Sequence, residues 1–122
     1  MARGTSPFGS PPKKASEPPA PRNIAFETTL CNAIRNGVLV ELRYEDDAFA
    51  RAYAPYVVYR TATGKYCAFG MQVNKTNPND RNDPHNFEVG KMRSVTLTTT
   101  KFTRDPRFNL SDAKYRNRVC PI

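Results

Sequence analysis

The chain has 122 residues and carries 19 Lys and Arg against 11 Asp and Glu, a formal net charge of +8. A chain of this length buries one small core, which argues against a deep enclosed active site and favours a surface groove. No run approaches the ~20 apolar residues of a membrane span, so no membrane partner is expected. The positive charge attracts polyanions, and nucleic acid is the first partner to consider. The alternative is that the charge only maintains solubility.

The cysteine pattern predicts free thiols and no cofactor. Cys31, Cys67 and Cys120 include no C-x-x-C pair, and His85 is the single histidine. This pattern supports neither a disulfide framework nor a zinc site. Cys67 falls in an apolar strand and Cys31 on a helix, where a free thiol behaves as a small hydrophobe in a reducing compartment. With no apolar segment after Met1, a cytoplasmic location is expected.

Three segments are predicted along the chain. Residues 1–24 are proline-rich, basic and without apolar periodicity, which is typical of a disordered arm. This arm is either a passive extension or a source of nonspecific phosphate contacts. Residues 25–110 form the domain, and residues 111–122 form a polar tail whose last four residues are able to pack against it.

The domain opens with one amphipathic helix and continues with strands. Phe26, Leu30, Ala33 and Ile34 repeat at helical spacing, and Gly37 follows as a helix-ending residue. From residue 38 the period drops to two, which predicts a strand to residue 44 and a turn at residues 45–47. Further strands are predicted at residues 49–54, 56–60, 65–73, 87–89 and 94–102.

Proline and the connections between strands decide the fold class. Pro55 lacks a backbone donor and predicts an edge or a corner between the second and third strands. No second helical pattern is long enough for a parallel crossover. The sequence therefore predicts a mainly β domain: a small, partly closed antiparallel β-barrel of five or six strands preceded by one short helix.

The order of five short motifs resembles the WYL domain, a module with an Sm-like, SH3-type barrel found mostly in bacterial transcription regulators. The motifs are Leu30-x-x-Ala33-Ile34, Leu42-Arg43-Tyr44, Arg51-x-Tyr53-x-Pro55, Gly64-Lys65-Tyr66-Cys67-Ala68 and a closing segment with Phe87, Val89, Lys91, Met92, Val95 and Phe102. Lys65 and Cys67 replace the tryptophan and leucine of the family's triplet. Glu88 and Lys91 stand at positions where members often have arginine. The resemblance implies a regulatory module that senses a nucleotide or single-stranded nucleic acid, here without the helix-turn-helix that commonly precedes it.

Six residues are the candidate binding site, and no residue is a candidate for catalysis. The fork of Arg51 suits two phosphate oxygens, and the alternative is a solvated strand arginine paired with Glu41 or Asp46. Tyr44 and Tyr66 offer faces on which a base can stack, or else belong to the core with their hydroxyls at the rim. The cations proposed to line the same groove are Lys65, Lys91 and Arg93.

Two functional hypotheses follow from these residues. The first is a non-enzymatic regulatory module that binds an anionic ligand, nucleic acid or a nucleotide, in the basic and aromatic groove. The second is a protein-interaction or self-assembly module that uses strand edges near Pro55 and at residues 96–100. A general-base role for His85 lacks a positioned nucleophile, so the sequence predicts no enzyme.

Overall fold

The computed structural model describes residues 17–122, so most of the predicted arm lies outside the described residues. The helix α1 spans Ile24–Asn36 and contains the four residues predicted at helical spacing. Asn23 caps its first turn by accepting a hydrogen bond from the Phe26 N–H, and Gly37 ends it at a φ of 65°. Among residues 17–122 no helix is long and apolar enough to cross a membrane.

Six antiparallel strands follow the helix, which confirms the predicted mainly β class. They are β1 (Val38–Tyr44), β2 (Arg51–Arg60), β3 (Tyr66–Gln72), β4 (Pro84–Glu88), β5 (Met92–Lys101) and β6 (Arg118–Cys120). The strand order is β4-β3-β2-β1-β5, and β6 pairs with β2. One short 3-10 turn, Val89–Lys91, joins β4 to β5.

The sheet is not closed into a barrel, which differs from the prediction. The strands β4 and β5 lie at opposite ends of the strand order, and no ladder joins them within residues 17–122. Barrel closure needs hydrogen bonding between the two outer strands. Local periodicity predicts strands but carries no information about whether the outermost two meet.

The strand β2 corrects the predicted break at Pro55. The residues predicted as two strands form one strand of 10 residues, in which Pro55 pairs with Gly70 and the register shifts before Val57. Before this bulge β2 pairs with β1 through Tyr53, and after it β2 pairs with β6 through Val58. Pro55 is therefore the point at which a central strand changes neighbours, and it does not lie at the edge of the sheet.

The sheet buries apolar residues on both faces. On one face, Leu30 and Ala33 of α1 pack against Val38, Val40 and Leu42 of β1 in a shared core. This arrangement confirms the predicted alternation in β1, because Leu39 lies in a different core on the other face.

The segment after β5 covers the second face of the sheet. Phe102 and Phe108 pack on the buried Tyr56, whose hydroxyl oxygen accepts a hydrogen bond from the Asp105 N–H at 3.0 Å. Tyr115 is buried and meets Tyr59 edge to face at 4.9 Å. Residues 111–122, predicted as a polar tail, thus contribute a buried aromatic residue and the strand β6.

A disulfide bond between Cys31 and Cys120 corrects the prediction of free thiols at these positions. The pairing of β6 with β2 places Cys120 beside α1, with its Cα 5.8 Å from that of Cys31 although 89 positions separate them in sequence. Cys67 is free and buried, as its position in an apolar strand indicated. Burial raises the pKa of the Cys67 thiol to about 11, with nearby Glu88 adding to the shift, so this thiol stays protonated.

Candidate anion-binding site

Arg51, at the start of β2, is engaged by a carboxylate. Its Nε and Nη2 donate to the two oxygens of Asp47 at 2.7 and 2.8 Å, and its Nη1 donates to Gln72 at 3.0 Å. The guanidinium carbon lies 5.2 Å from the centre of the Phe87 ring. The fork that suits a phosphate therefore already holds a carboxylate in the bidentate arrangement. These contacts favour the alternative of a paired strand arginine, with Asp47 in place of the partners considered from sequence.

Tyr44, at the end of β1, packs as part of the rim of the core. Its ring lies 4.8 Å from that of Phe87, and its hydroxyl oxygen accepts a hydrogen bond from the Glu88 N–H at 3.2 Å. Burial raises the pKa of this phenol. These contacts favour the alternative in which Tyr44 belongs to the core with its hydroxyl at the rim.

Lys91 contacts acidic side chains, whereas Arg93 contacts a backbone carbonyl oxygen next to an acidic groove. The Lys91 ammonium is 3.4 Å from Glu17, 3.9 Å from Glu45 and 4.0 Å from Glu88. Arg93 donates to the Glu45 carbonyl oxygen at 2.9 Å. A groove of about 410 Å³ is lined by two arginines, Arg43 and Arg93, and by three acidic residues, Glu45, Asp46 and Asp47. These carboxylates oppose the binding of an anion at this end of the sheet.

The hairpin between β2 and β3 carries the other two predicted residues, Lys65 and Tyr66. Arg60 pairs with Tyr66 across the hairpin, and the turn is closed by a hydrogen bond of 2.8 Å from the Thr61 N–H to the Lys65 carbonyl oxygen. Gly64 supplies the positive φ of 90° that this turn requires. Within residues 17–122 neither Lys65 nor Arg60 has a carboxylate within 4.0 Å.

Arg22 adds a third cation to this hairpin. Its guanidinium carbon lies 4.0 Å from the centre of the Tyr66 ring, within the range of a cation–π contact. The same side chain donates to both oxygens of the buried Glu27 at 2.9 Å, which holds it in place. We call the group formed by Arg22, Arg60, Lys65 and Tyr66 the hairpin cluster.

Residues 17–22, which we call the strap, connect the two ends of the predicted site. The strap begins at the contact of Glu17 with Lys91 and ends at the stack of Arg22 on Tyr66. Between them the Ala20 N–H donates to the buried Glu88 carboxylate at 2.7 Å. Gly90 lies directly beneath the strap. A Cβ at this position would overlap the Pro21 carbonyl oxygen.

The structure therefore divides the six predicted site residues between two places. Tyr44, Arg51, Lys91 and Arg93 lie at an end of the sheet where carboxylates contact or flank the cations, whereas Lys65 and Tyr66 lie in the hairpin cluster. Sequence reasoning placed Arg22 in the arm and so missed its stack on Tyr66. The available signal was an arginine, Arg22, just before the helix together with a glutamate, Glu27, in the first helical turn.

His85, the single histidine of the chain, contacts neighbours in its own strand region. Its Nε2 lies 3.2 Å from Asp83, and its ring stacks on Phe87 at 5.0 Å. Among the described residues no three His, Cys, Asp or Glu side chains are grouped so that they could hold a metal ion. The Tyr53 hydroxyl donates to the His85 carbonyl oxygen at 3.0 Å, and no hydroxyl or thiol is hydrogen-bonded to the His85 ring within residues 17–122.

Comparisons with known proteins identify no family for this chain. No protein-family model matches the sequence. A search of curated proteins likewise finds no match. The resemblance to the WYL domain accordingly rests on the motifs quoted above.

Proposed function

We propose that the protein is a non-enzymatic, WYL-like regulatory module that binds an anionic ligand, nucleic acid or a nucleotide, at the hairpin cluster. The observation that carries this proposal is the contact of Arg22 with the Tyr66 ring, in a hairpin where Arg60 is the cross-strand partner of Tyr66 and Lys65 precedes it in the chain. The chain's formal charge of +8 adds a long-range attraction for polyanions.

Each member of the hairpin cluster has a chemical role in this proposal. Lys65 and Arg60 hold phosphate oxygens, since neither is neutralised by a carboxylate within residues 17–122. Tyr66 offers the ring face opposite Arg22 to a base, and such stacking contributes about 1–3 kcal/mol per base. Arg22 restricts the motion of the Tyr66 side chain and places a positive charge beside its ring.

Binding becomes regulatory when it shifts an equilibrium or a contact with another chain. The strap provides such an element, since it contacts both Tyr66 and Lys91 and reaches the hairpin cluster through Arg22. The cytoplasm is the proposed compartment, in which the half-buried Cys31–Cys120 bond would meet reducing thiols.

The test is fluorescence anisotropy with labelled single-stranded and duplex oligonucleotides at two salt concentrations. We expect Tyr66→Ala to weaken single-strand binding by about 1–3 kcal/mol, because the stacking surface is removed. Lys65→Ala should weaken binding and lower the slope of log affinity against log salt by about one. Tyr66→Phe retains the ring and should bind nearly as the wild type does.

Arg51→Gln is the matched control, because this arginine is already paired with Asp47. We expect this variant to bind oligonucleotides almost as tightly as the wild type, whereas a binding site built around Arg51 would lose much of its affinity. Equal binding by wild type and Tyr66→Ala would place the ligand elsewhere. If no oligonucleotide binds, nucleic acid is rejected as the ligand. The binding of mononucleotides would then be measured with the same variants.

The second candidate function, assembly through a strand edge, is favoured by β5. This strand has 10 residues, pairs with β1 and has no second partner among residues 17–122. Leu97 on this strand is 44% exposed. An open edge of this length is able to add a strand from another chain. Sedimentation measures the association state of the wild type and of Leu97→Lys and so distinguishes the two functions. Assembly through β5 should be lost in Leu97→Lys and should persist at high salt, whereas anion binding should not depend on Leu97.

A further inference from the structure

The disulfide bond of this protein lies beside an open groove. A groove of about 600 Å³ is lined by both Cys31 and Cys120, together with Arg35, Arg104 and apolar residues near the end of the chain. Both cysteines are half-buried, so each keeps some contact with solvent. Thiol–disulfide exchange requires a thiolate to reach one of the two sulfurs, and this groove provides the access.

The groove carries positive charge beside the bond. Arg35 donates to the Asn32 side-chain oxygen at 2.7 Å, and Arg104 lies 5.4 Å from the Phe108 ring. Neither contact neutralises the guanidinium, and the described residues that line the groove include no Asp or Glu. An anionic thiol is therefore attracted to the bond, and a thiolate formed there is stabilised by the same two cations.

The bond also supports a weakly held strand. The ladder between β6 and β2 contains two pairs, Val58 with Cys120 and Tyr59 with Arg118. One further backbone hydrogen bond, from Arg60 to Asn117 at 3.0 Å, lies at its beginning. Before that point the buried Tyr115 anchors the chain independently. The ladder is short, and Val119 and Cys120 are only partly buried where they pack against the main core, so the covalent bond to α1 adds a further restraint on residues 118–122.

We propose that the Cys31–Cys120 bond is a thiol–disulfide exchange site for a small anionic thiol, and that its reduction releases β6 from residues 57–60 of β2. This inference is independent of ligand binding at the hairpin cluster. Release uncovers the backbone donors and acceptors of β2 on that side, which forms a new sheet edge.

Reduction of the Cys31–Cys120 bond takes place in two steps. A reagent thiolate attacks one sulfur, the disulfide bond breaks, and the other protein sulfur leaves as a thiolate. A second reagent thiolate then attacks the mixed disulfide, which frees the first cysteine and releases the reagent as its own symmetric disulfide. Two electrons pass to the protein, and the pH of the solution sets how many protons the two cysteines take up.

The first test compares an anionic with a neutral thiol. The oxidised full-length protein is incubated with glutathione or 2-mercaptoethanol, and reduced cysteines are counted by alkylation and mass spectrometry. We expect Arg35→Gln/Arg104→Gln to slow reduction by glutathione about 3- to 10-fold and to slow reduction by 2-mercaptoethanol less, because the glutathione thiolate carries more negative charge than the 2-mercaptoethanol thiolate. Cys67 is 4% exposed and should remain unlabelled in every sample, which makes it an internal control.

The second test measures amide hydrogen exchange in the oxidised and reduced proteins. After reduction, residues 118–120 should lose nearly all protection, at least about tenfold faster exchange, while the amides of β1 stay protected. Cys31→Ser/Cys120→Ser should show the same pattern without any thiol. The proposal is overturned by protection that persists at residues 118–120, by equal loss of protection in β1, or by three free thiols in protein purified without reductant.

Discussion

Arg51 and Asp47 form a bidentate ion pair between the start of β2 and the turn that precedes it. Arg51 donates two hydrogen bonds to the Asp47 carboxylate and a third to the Gln72 side-chain oxygen. These contacts hold the first residue of β2 against the turn after β1. We infer that the pair orders the turn, where Asp47 also accepts a hydrogen bond from the Tyr44 N–H at 2.9 Å.

The acid titration of Asp47 tests this pairing. The hydrogen bonds from Arg51, and then that from Tyr44, hold the pKa of Asp47 at about 2, below its usual 3.8. Because the folded-state pKa is lowered, the stabilisation is present above about pH 4 and is lost as the pH falls through about 2. We expect Arg51→Gln to raise the pKa of Asp47 part of the way toward 3.8, measured by NMR titration of its carboxyl carbon.

Asp105 provides the matched control for this titration. Hydrogen bonds from the Arg107 side chain and backbone hold the pKa of Asp105 at about 2 as well. Arg107→Gln should therefore raise the pKa of Asp105 and leave that of Asp47 unchanged. An Asp47 pKa that does not move in Arg51→Gln would show that the ion pair is absent in solution.

At the level of elements, two glycines mark places where backbones approach closely, but with different consequences. Gly70 of β3 faces the bulge at Pro55, where a Cβ would overlap the Ala54 carbonyl oxygen and lie 2.8 Å from the Pro55 Cα. Gly90 lies beneath the strap, where a Cβ would overlap the Pro21 carbonyl oxygen. One contact is between central strands and the other is with a surface segment.

Alanine substitutions at these two positions should separate the roles. Gly70→Ala should lower the free energy of unfolding by about 1–3 kcal/mol, since two central strands must move apart. Gly90→Ala should displace the strap and lower the free energy of unfolding by a smaller amount. The Ala20 amide should then lose the protection from hydrogen exchange that its hydrogen bond to Glu88 provides. Urea unfolding measures the first effect and hydrogen exchange the second. Equal destabilisation in both variants would mean that the strap is an integral part of the core.

At the level of the whole molecule, the Cys31–Cys120 bond joins the first element of the fold to the last strand. It closes a loop with a sequence separation of 89, which restricts the unfolded chain strongly. Full reduction should lower the free energy of unfolding by about 2–4 kcal/mol, measured by urea denaturation with and without reductant. Cys31→Ser/Cys120→Ser should show no effect of the reductant, and a wild type that behaves in the same way would argue against the bond.

The sequence by itself determined the local structure of this protein. The helical spacing that ends at Gly37, the alternation of Val38, Val40 and Leu42, and the buried position of Cys67 all depend on neighbouring residues, and all appear in the structure. The hairpin between β2 and β3 keeps Lys65 and Tyr66 adjacent, and their role in ligand binding stays a prediction.

Only the tertiary structure decided which distant groups meet. The bond from Cys31 to Cys120, the carboxylate that binds Arg51 and the stack of Arg22 on Tyr66 each depend on how strands and loops are placed. The open sheet and the use of Phe102, Phe108 and Tyr115 to cover its second face have the same origin. Periodicity records which side of an element is buried, but the choice of partner follows from strand order and register, which no short stretch of sequence contains.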